Sequence, residues 1–136
     1  EAIFRAAGIN NGLTSAELGL SYTLPRAIGT SRAFEIMLTG RDVDAHEAER
    51  IGITTRTVAR TQLLDEALIM ARQLLRHSHI GVELSKQMLG ARLSAASLQT
   101  HMNHDRHAQL FVRMTTDNFD EAIRARKQGR APEFKA

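Results

Sequence analysis

Cysteine is absent from these 136 residues, as is tryptophan, and the aromatics amount to one tyrosine and five phenylalanines. Without thiols the chain can form neither a disulfide nor a thiolate metal site, a composition that suits a cytoplasmic protein. With only 4% of residues aromatic, the core must be built from Leu, Ala, Ile and Met. Long apolar runs are missing too, so no membrane span is expected. Neither acidic nor basic residues dominate. The net charge is +3, and acidic residues alternate with basic ones until the C-terminal stretch. With no long basic block and no interleaved aromatics, nucleic acid is not an expected partner. There is no internal repeat, sustained heptad or low-complexity segment.

Residues 10–52 are the most informative part of what is present. A turn-rich loop, Asn10-Asn11-Gly12 onward, leads into a helix that carries Leu24-Pro25-Arg26. Ser31 to Leu38 forms a second helical run that stops at Gly40. Asp44 to Ile51 forms a third that stops at Gly52. Thr30-Ser31 and Asp44 are candidate N-caps. One carboxylate, Glu17, lies in the loop between apolar and small neighbours, Ala16, Leu18 and Gly19. That placement makes Glu17 the clearest clue to chemistry in the sequence.

Elsewhere, Ala2 to Ala7 reads as a short buried strand, and the β-branched alternation of Ile53 to Val58 predicts another. Leu63, Leu64, Ala67, Leu68, Ala71, Leu74 and Leu75 form one apolar stripe on a helix opening at Thr61 or Gln62 and ending near His77-Ser78. Further helices are expected over 80–93, from Ala95-Ala96-Ser97 to Thr115, and from Asp120 to Gln128, the last closed by Gly129. The expected organisation is a β-containing segment over residues 1–58 followed by a helical segment over 59–136.

The order LPR-x-IG followed by LTGR-x-V-x-A-x-EA-x-x-IG resembles the enoyl-CoA hydratase/isomerase family, the crotonase superfamily. It is carried by Leu24, Pro25, Arg26, Ile28 and Gly29, then by Leu38, Thr39, Gly40, Arg41, Val43, Ala45, Glu47, Ala48, Ile51 and Gly52. The closing Arg130-Ala131-Pro132-Glu133-Phe134 is similar to the family's R-x-P-x-F. The resemblance covers the second half of the family's usual length, which is roughly twice this one. It implies an α/β crotonase-like fold, of which this chain holds the last short strands of the β-α spiral and a C-terminal helical oligomerisation subdomain. The chain is accordingly expected to be a fragment. Its partners would be an acyl-CoA substrate and further copies of the chain in a homotrimer or a hexamer. No cofactor is expected, since coenzyme A is part of the substrate.

The resemblance also assigns roles. Hydratases of this family place a proton-delivering glutamate in P-E-x-x-x-G just after the strand, and here that place is Gly8. The segment from Ala16 to Arg26 is instead similar to the P-E-G-x-S-S-Y-x-x-P-K/R of family isomerases, whose glutamate moves a proton between two carbons. Glu17 is therefore the expected catalytic residue, with a loop carboxylate that is solvated or paired with Arg26 as its ordinary alternative. The basic run Arg126, Lys127 and Arg130 (with Arg124) matches the region where family members meet the CoA phosphates. A solvated helix end is its ordinary reading. The oxyanion-hole donors belong to segments not in this chain, so the fragment alone is expected to be inactive. Double-bond isomerisation is the favoured reaction; enoyl-CoA hydration and a non-catalytic helical association module or inactive remnant are the alternatives. His101, His104 and His107, three residues apart, read as a polar, partly exposed helix face or a subunit contact, and no metal site is expected.

Overall fold

The computed structural model describes residues 2–135. The chain divides into two compact units, Glu1–Leu63 and Leu64–Ala136. In the first, β1 (Ile3–Phe4) is followed by a 3₁₀ turn (Ile9–Asn11), α1 (Leu20–Ile28), α2 (Thr30–Thr39), β2 (Val43–Asp44), α3 (Ala45–Ile51) and a second 3₁₀ turn (Arg60–Gln62). The strands pair antiparallel, Ile3 opposite Asp44 and Phe4 opposite Val43.

Small side chains let these elements close on one another. Ala33, Val43 and Ala48 are fully buried, and Ile28, Ile36 and Ile51 complete the cluster, with Phe4, Leu24 and Ile53 packed against it. A buried isoleucine cut to alanine in such a cluster typically loses about 2–5 kcal/mol. Helix ends follow local chemistry. Asp44 accepts the backbone N–H of Glu47 at 2.8 Å and so caps α3. Gly40 ends α2 at φ 61°, and a Cβ there would stand 2.4 Å from Asn10 Oδ1, so both its conformation and its surroundings call for glycine. Between these ends, Arg41 grips Glu35 of α2 with Nε at 2.6 Å and Glu47 of α3 with Nη1 at 2.8 Å. Arg5 donates to Asp42 and brings β1 to the same corner.

Three expectations need correction. Residues 53–58 form no strand, and three of their backbone N–H groups are committed to α3. The N–H groups of Ile53 and Thr54 both bond Ala48 O, the Thr57 N–H bonds Glu49 Oε2, and Thr57 Oγ1 donates to Ala45 O. The first strand is shorter than residues 2–7, since its partner among the described residues, β2, is two residues long. Finally, α2 starts one residue early, at Thr30, with Gly29 at the cap and no side-chain cap bond.

The second unit is helical: α4 (Leu63–Leu74, from the boundary residue), α5 (His79–Ala91), α6 (Leu98–Thr115) and α7 (Asn118–Gln128). Ser78 and Ser97 cap α5 and α6 by accepting the N–H groups of Gly81 and Thr100. α5 packs on α6 and α6 on α7. Buried Asn118 donates to Ser78 Oγ at 3.1 Å and accepts the Lys135 N–H at 3.3 Å, which joins the start of α7 to the start of α5 and to the C-terminal tail. None of α4, α5 and α6 has a fully buried residue, and Leu64, Leu75, Leu98 and Met114 are exposed. Among the described residues no helix is long and apolar enough to cross a membrane.

Candidate active site

The segment between β1 and α1 is a loop pinned at three points. The N–H groups of Asn11 and Leu13 both return to Gly8 O at 3.0 Å, which curls residues 8–13 into a tight turn. Asn10 Nδ2 donates to Gly40 O at 2.6 Å, and the buried Ser15 hydroxyl donates to Met37 O. These last two bonds satisfy carbonyls at the C-terminal end of α2, where no intrahelical N–H remains. The loop is thereby tied to a packed helix.

Glu17 sits just beyond the Ser15 anchor. Its Oε1 lies 3.6 Å from the point a Cβ on Gly8 would occupy. The same hypothetical Cβ would stand 2.0 Å from Thr14 O, so the Thr14 carbonyl lies directly over the glycine. The structure thus brings together the two positions that sequence comparison treats as alternatives. Gly8 has no room for a side chain, and the carboxylate of Glu17 fills the neighbouring space. Glu17 makes no ion pair or side-chain hydrogen bond among the described residues. Of its two ordinary alternatives, pairing with Arg26 is not realised, since that guanidinium lies 3.5 Å from the Tyr22 ring centroid and donates to Tyr22 O at 2.8 Å, whereas the solvated loop position is: Glu17 is exposed.

Leu18 follows with φ 48°, the one non-glycine residue with positive φ among those described, and its side chain is fully exposed at 104%. For leucine the left-handed region costs about 1–2 kcal/mol. Gly19 continues with φ 80° and starts α1, while the Leu20 N–H bonds Glu17 O at 2.8 Å. Two successive left-handed residues therefore turn the chain sharply between the carboxylate and the helix. Nothing in the leucine side chain foretells that geometry.

The C-terminal basic residues behave differently from one another. Arg126 and Lys127 are exposed near the end of α7 and make no ion pair among the described residues. Arg130 is engaged, its Nη1 donating to Glu121 Oε1 at 2.6 Å and its Nε to Gln128 Oε1 at 2.7 Å. The Glu133 N–H adds to the same Glu121 oxygen at 3.0 Å, so Glu121 folds the tail back on α7. The Arg130 guanidinium, then the Glu133 N–H, lower the Glu121 carboxyl to about 2. A carboxyl depressed in the folded state adds stability that is complete above its ordinary value near 4.5 and is lost as pH falls toward 2. Urea midpoints should therefore drop across that window, and Glu121→Gln should make the drop shallower. An equal slope in the variant would show that Glu121 is not among the groups responsible.

His101 Nε2 stands 3.7 Å from Asp105 Oδ1, and His101 Nδ1 is buried without a hydrogen-bond partner among the described residues. No group of three or more His, Asp or Glu residues gathers as a metal site among the described residues.

Comparison with known proteins gives a consistent picture. The sequence model described as enoyl-CoA hydratase/isomerase matches residues 1–136. A relative from Mycobacterium tuberculosis named "Probable enoyl-CoA hydratase EchA12" is 60% identical over 133 residues, covering 98% of this chain and 47% of the relative. A crystal structure described as a probable enoyl-CoA hydratase/isomerase from Mycobacterium abscessus superimposes with a TM-score of 0.94 at 58% identity, over 99% of this chain and 52% of that one. A structure described as a monofunctional enoyl CoA isomerase from M. smegmatis is 62% identical, with a TM-score of 0.69 over 75% of this chain and 47% of that one. The chain spans about half the length of the curated relatives it matches. The architecture is that of the C-terminal half of a crotonase-like α/β fold.

Proposed function

Because the chain belongs to the enoyl-CoA hydratase/isomerase family, we propose that the protein moves a carbon–carbon double bond in an acyl-CoA thioester, with Glu17 carrying the proton. The observation that carries this reading is the pairing of Glu17 with Gly8. Glu17 places a carboxylate beside Gly8, and Gly8 itself cannot hold a second one without displacing the Thr14 backbone. Hydration needs one group to activate water and another to protonate carbon, whereas isomerisation needs a single base that later acts as an acid.

In a 3-enoyl-CoA, a Glu17 oxygen removes a proton from carbon 2. That C–H bond breaks, and the electron pair delocalises over the thioester carbonyl and the former double bond. The protonated carboxyl then delivers the proton to carbon 4, which leaves the double bond between carbons 2 and 3 and Glu17 ionised again. Negative charge on the thioester oxygen requires hydrogen-bond donors. On the family resemblance these are two backbone N–H groups from a segment outside these 136 residues, each worth about 3–4 kcal/mol in comparable sites. Arg126 and Lys127, which make no ion pair among the described residues, are the cations offered to CoA phosphates; Arg130 would first have to leave Glu121. No cofactor enters the scheme, and further copies of the chain in a trimer or hexamer are its expected partners. The isomerase name of the M. smegmatis structure supports this reading, while the hydratase name of the M. tuberculosis relative supports the alternative.

The test is to give the full-length protein a 3-enoyl-CoA and a trans-2-enoyl-CoA separately. Conversion of the 3-enoyl to the 2-enoyl thioester without formation of the 3-hydroxy product is expected. Hydration as the dominant reaction would overturn the proposal. The exposed Leu64, Leu75, Leu98 and Met114 favour a second reading, a non-catalytic association module. A protein that sediments as an oligomer and turns over neither thioester would establish it.

A further inference from the structure

The Glu17 loop carries one feature that proton transfer does not use. Leu18 directly follows the proposed base, has φ 48°, and exposes its whole side chain. A large apolar group in a disfavoured backbone region, with none of its surface buried, contributes nothing to the stability of the unit that carries it. Strained residues of this kind cluster where a ligand is gripped. The surrounding anchors keep the conformation in place: Ser15 is bonded to Met37 O, three residues before Leu18, and Leu20 is bonded to Glu17 O, two residues after it.

We propose that Leu18 is a specificity-determining residue, meeting the apolar part of the acyl chain beyond the reacting carbons and favouring longer unbranched acyl groups over short ones. The inference rests on the reading of Glu17 as the proton carrier. Chemistry sets the distance. A carboxylate that serves carbons 2 and 4 must come within about 3 Å of each, close to hydrogen-bond range. The chain from carbon 5 outward therefore begins beside the same carboxylate, within reach of the residue next to it. Leu13, also exposed at 70%, belongs to the same loop and gives it a second apolar side chain. No charged side chain lies between Glu17 and Arg26 in sequence, so nothing in the segment after the base is placed to pair with a charged acyl group.

The experiment measures affinity of the full-length protein for a saturated medium-chain and a saturated short-chain acyl-CoA by titration calorimetry, which needs no turnover. Leu18→Gly frees the backbone, and Leu18→Asn keeps a residue that tolerates the left-handed region, but both remove the apolar contact. Each should weaken medium-chain binding about tenfold more than short-chain binding, the lower end of what an apolar pocket contact contributes. Leu18→Met should keep the wild-type preference. The melting temperature of Leu18→Gly should not fall; a fall would mean that Leu18 packs on the rest of the full-length protein, which would also overturn the proposal. Equal weakening for both chain lengths would mean that Leu18 only shapes the loop, and unchanged binding would mean that it touches nothing; either result overturns the proposal, as does failure to bind any acyl-CoA. Glu17→Gln assayed in parallel separates the two readings. If that variant stays active, the proton carrier is another group, yet the chain-length preference still decides the role of Leu18.

Discussion

Replacing Glu17 by glutamine should lower kcat/KM for 3-enoyl-CoA isomerisation by about a hundred- to ten-thousand-fold, the usual cost of removing a positioned general base. The substitution keeps the size and planarity of the side chain but cannot take up a proton. It should not disturb the fold, because Glu17 is exposed and has no ion pair or side-chain hydrogen bond among the described residues to lose. Affinity for a saturated acyl-CoA should therefore stay within about threefold of wild type, since binding and proton transfer are separate contributions to the rate. The melting temperature should also be unchanged. Retention of full isomerase activity would assign the proton to another group and return Glu17 to an ordinary loop carboxylate. Loss of activity together with loss of acyl-CoA binding would point to a defect in substrate positioning.

Gly8→Ala should lower isomerase activity by about a hundredfold without touching any reacting group. The new methyl would stand 2.0 Å from Thr14 O and 3.1 Å from the Thr14 carbonyl carbon, both backbone atoms, so the loop has to open to admit it. Overpacking of this kind costs about 1–3 kcal/mol. Displacing Thr14 also displaces the chain that leads through Ser15 to Glu17, and misplacement by about 1 Å can cost a hundredfold in rate. Gly90 in α5 provides the control. It has no atom within 4 Å of a Cβ and no positive φ, so Gly90→Ala should leave activity unchanged and stability equal or slightly higher. If Gly8→Ala is as active as the control, the close approach of Thr14 does not position Glu17. The same contact means that a glutamate built at Gly8 cannot install hydratase chemistry, because its Cβ collides before its carboxylate can reach a substrate.

What could be read directly from the residues was local. Asp44 caps α3 through the N–H three residues ahead, and Gly40, Gly52 and Gly129 end helices in the left-handed conformation. These interactions close within a few residues, so their chemistry is written in the segment that makes them. The ordered Leu24-Pro25-Arg26 and Leu38-Thr39-Gly40-Arg41 motifs likewise point to the family, and Arg41 shows why such a motif holds its spacing: it bridges Glu35 and Glu47, each six residues away.

Other features depended on partners distant in the chain or on competition between bonds. Ile53 to Val58 has the alternation of a strand, but three of its backbone N–H groups are taken by a carbonyl and a carboxylate of α3. Arg130 reads as a free cation until the tail folds back and Glu121, nine residues earlier, takes it. The setting of Glu17 needed still more. Ser15 reaches a carbonyl 22 residues away, Asn10 reaches one 30 residues away, and the Thr14 carbonyl closes over Gly8. The amino-acid order determined that a carboxylate would stand in a loop before α1. Tertiary structure alone decided that it would lie against a glycine with no room for a second carboxylate and beside a leucine forced into the left-handed region, because those constraints come from backbone atoms brought together by the packing of α2.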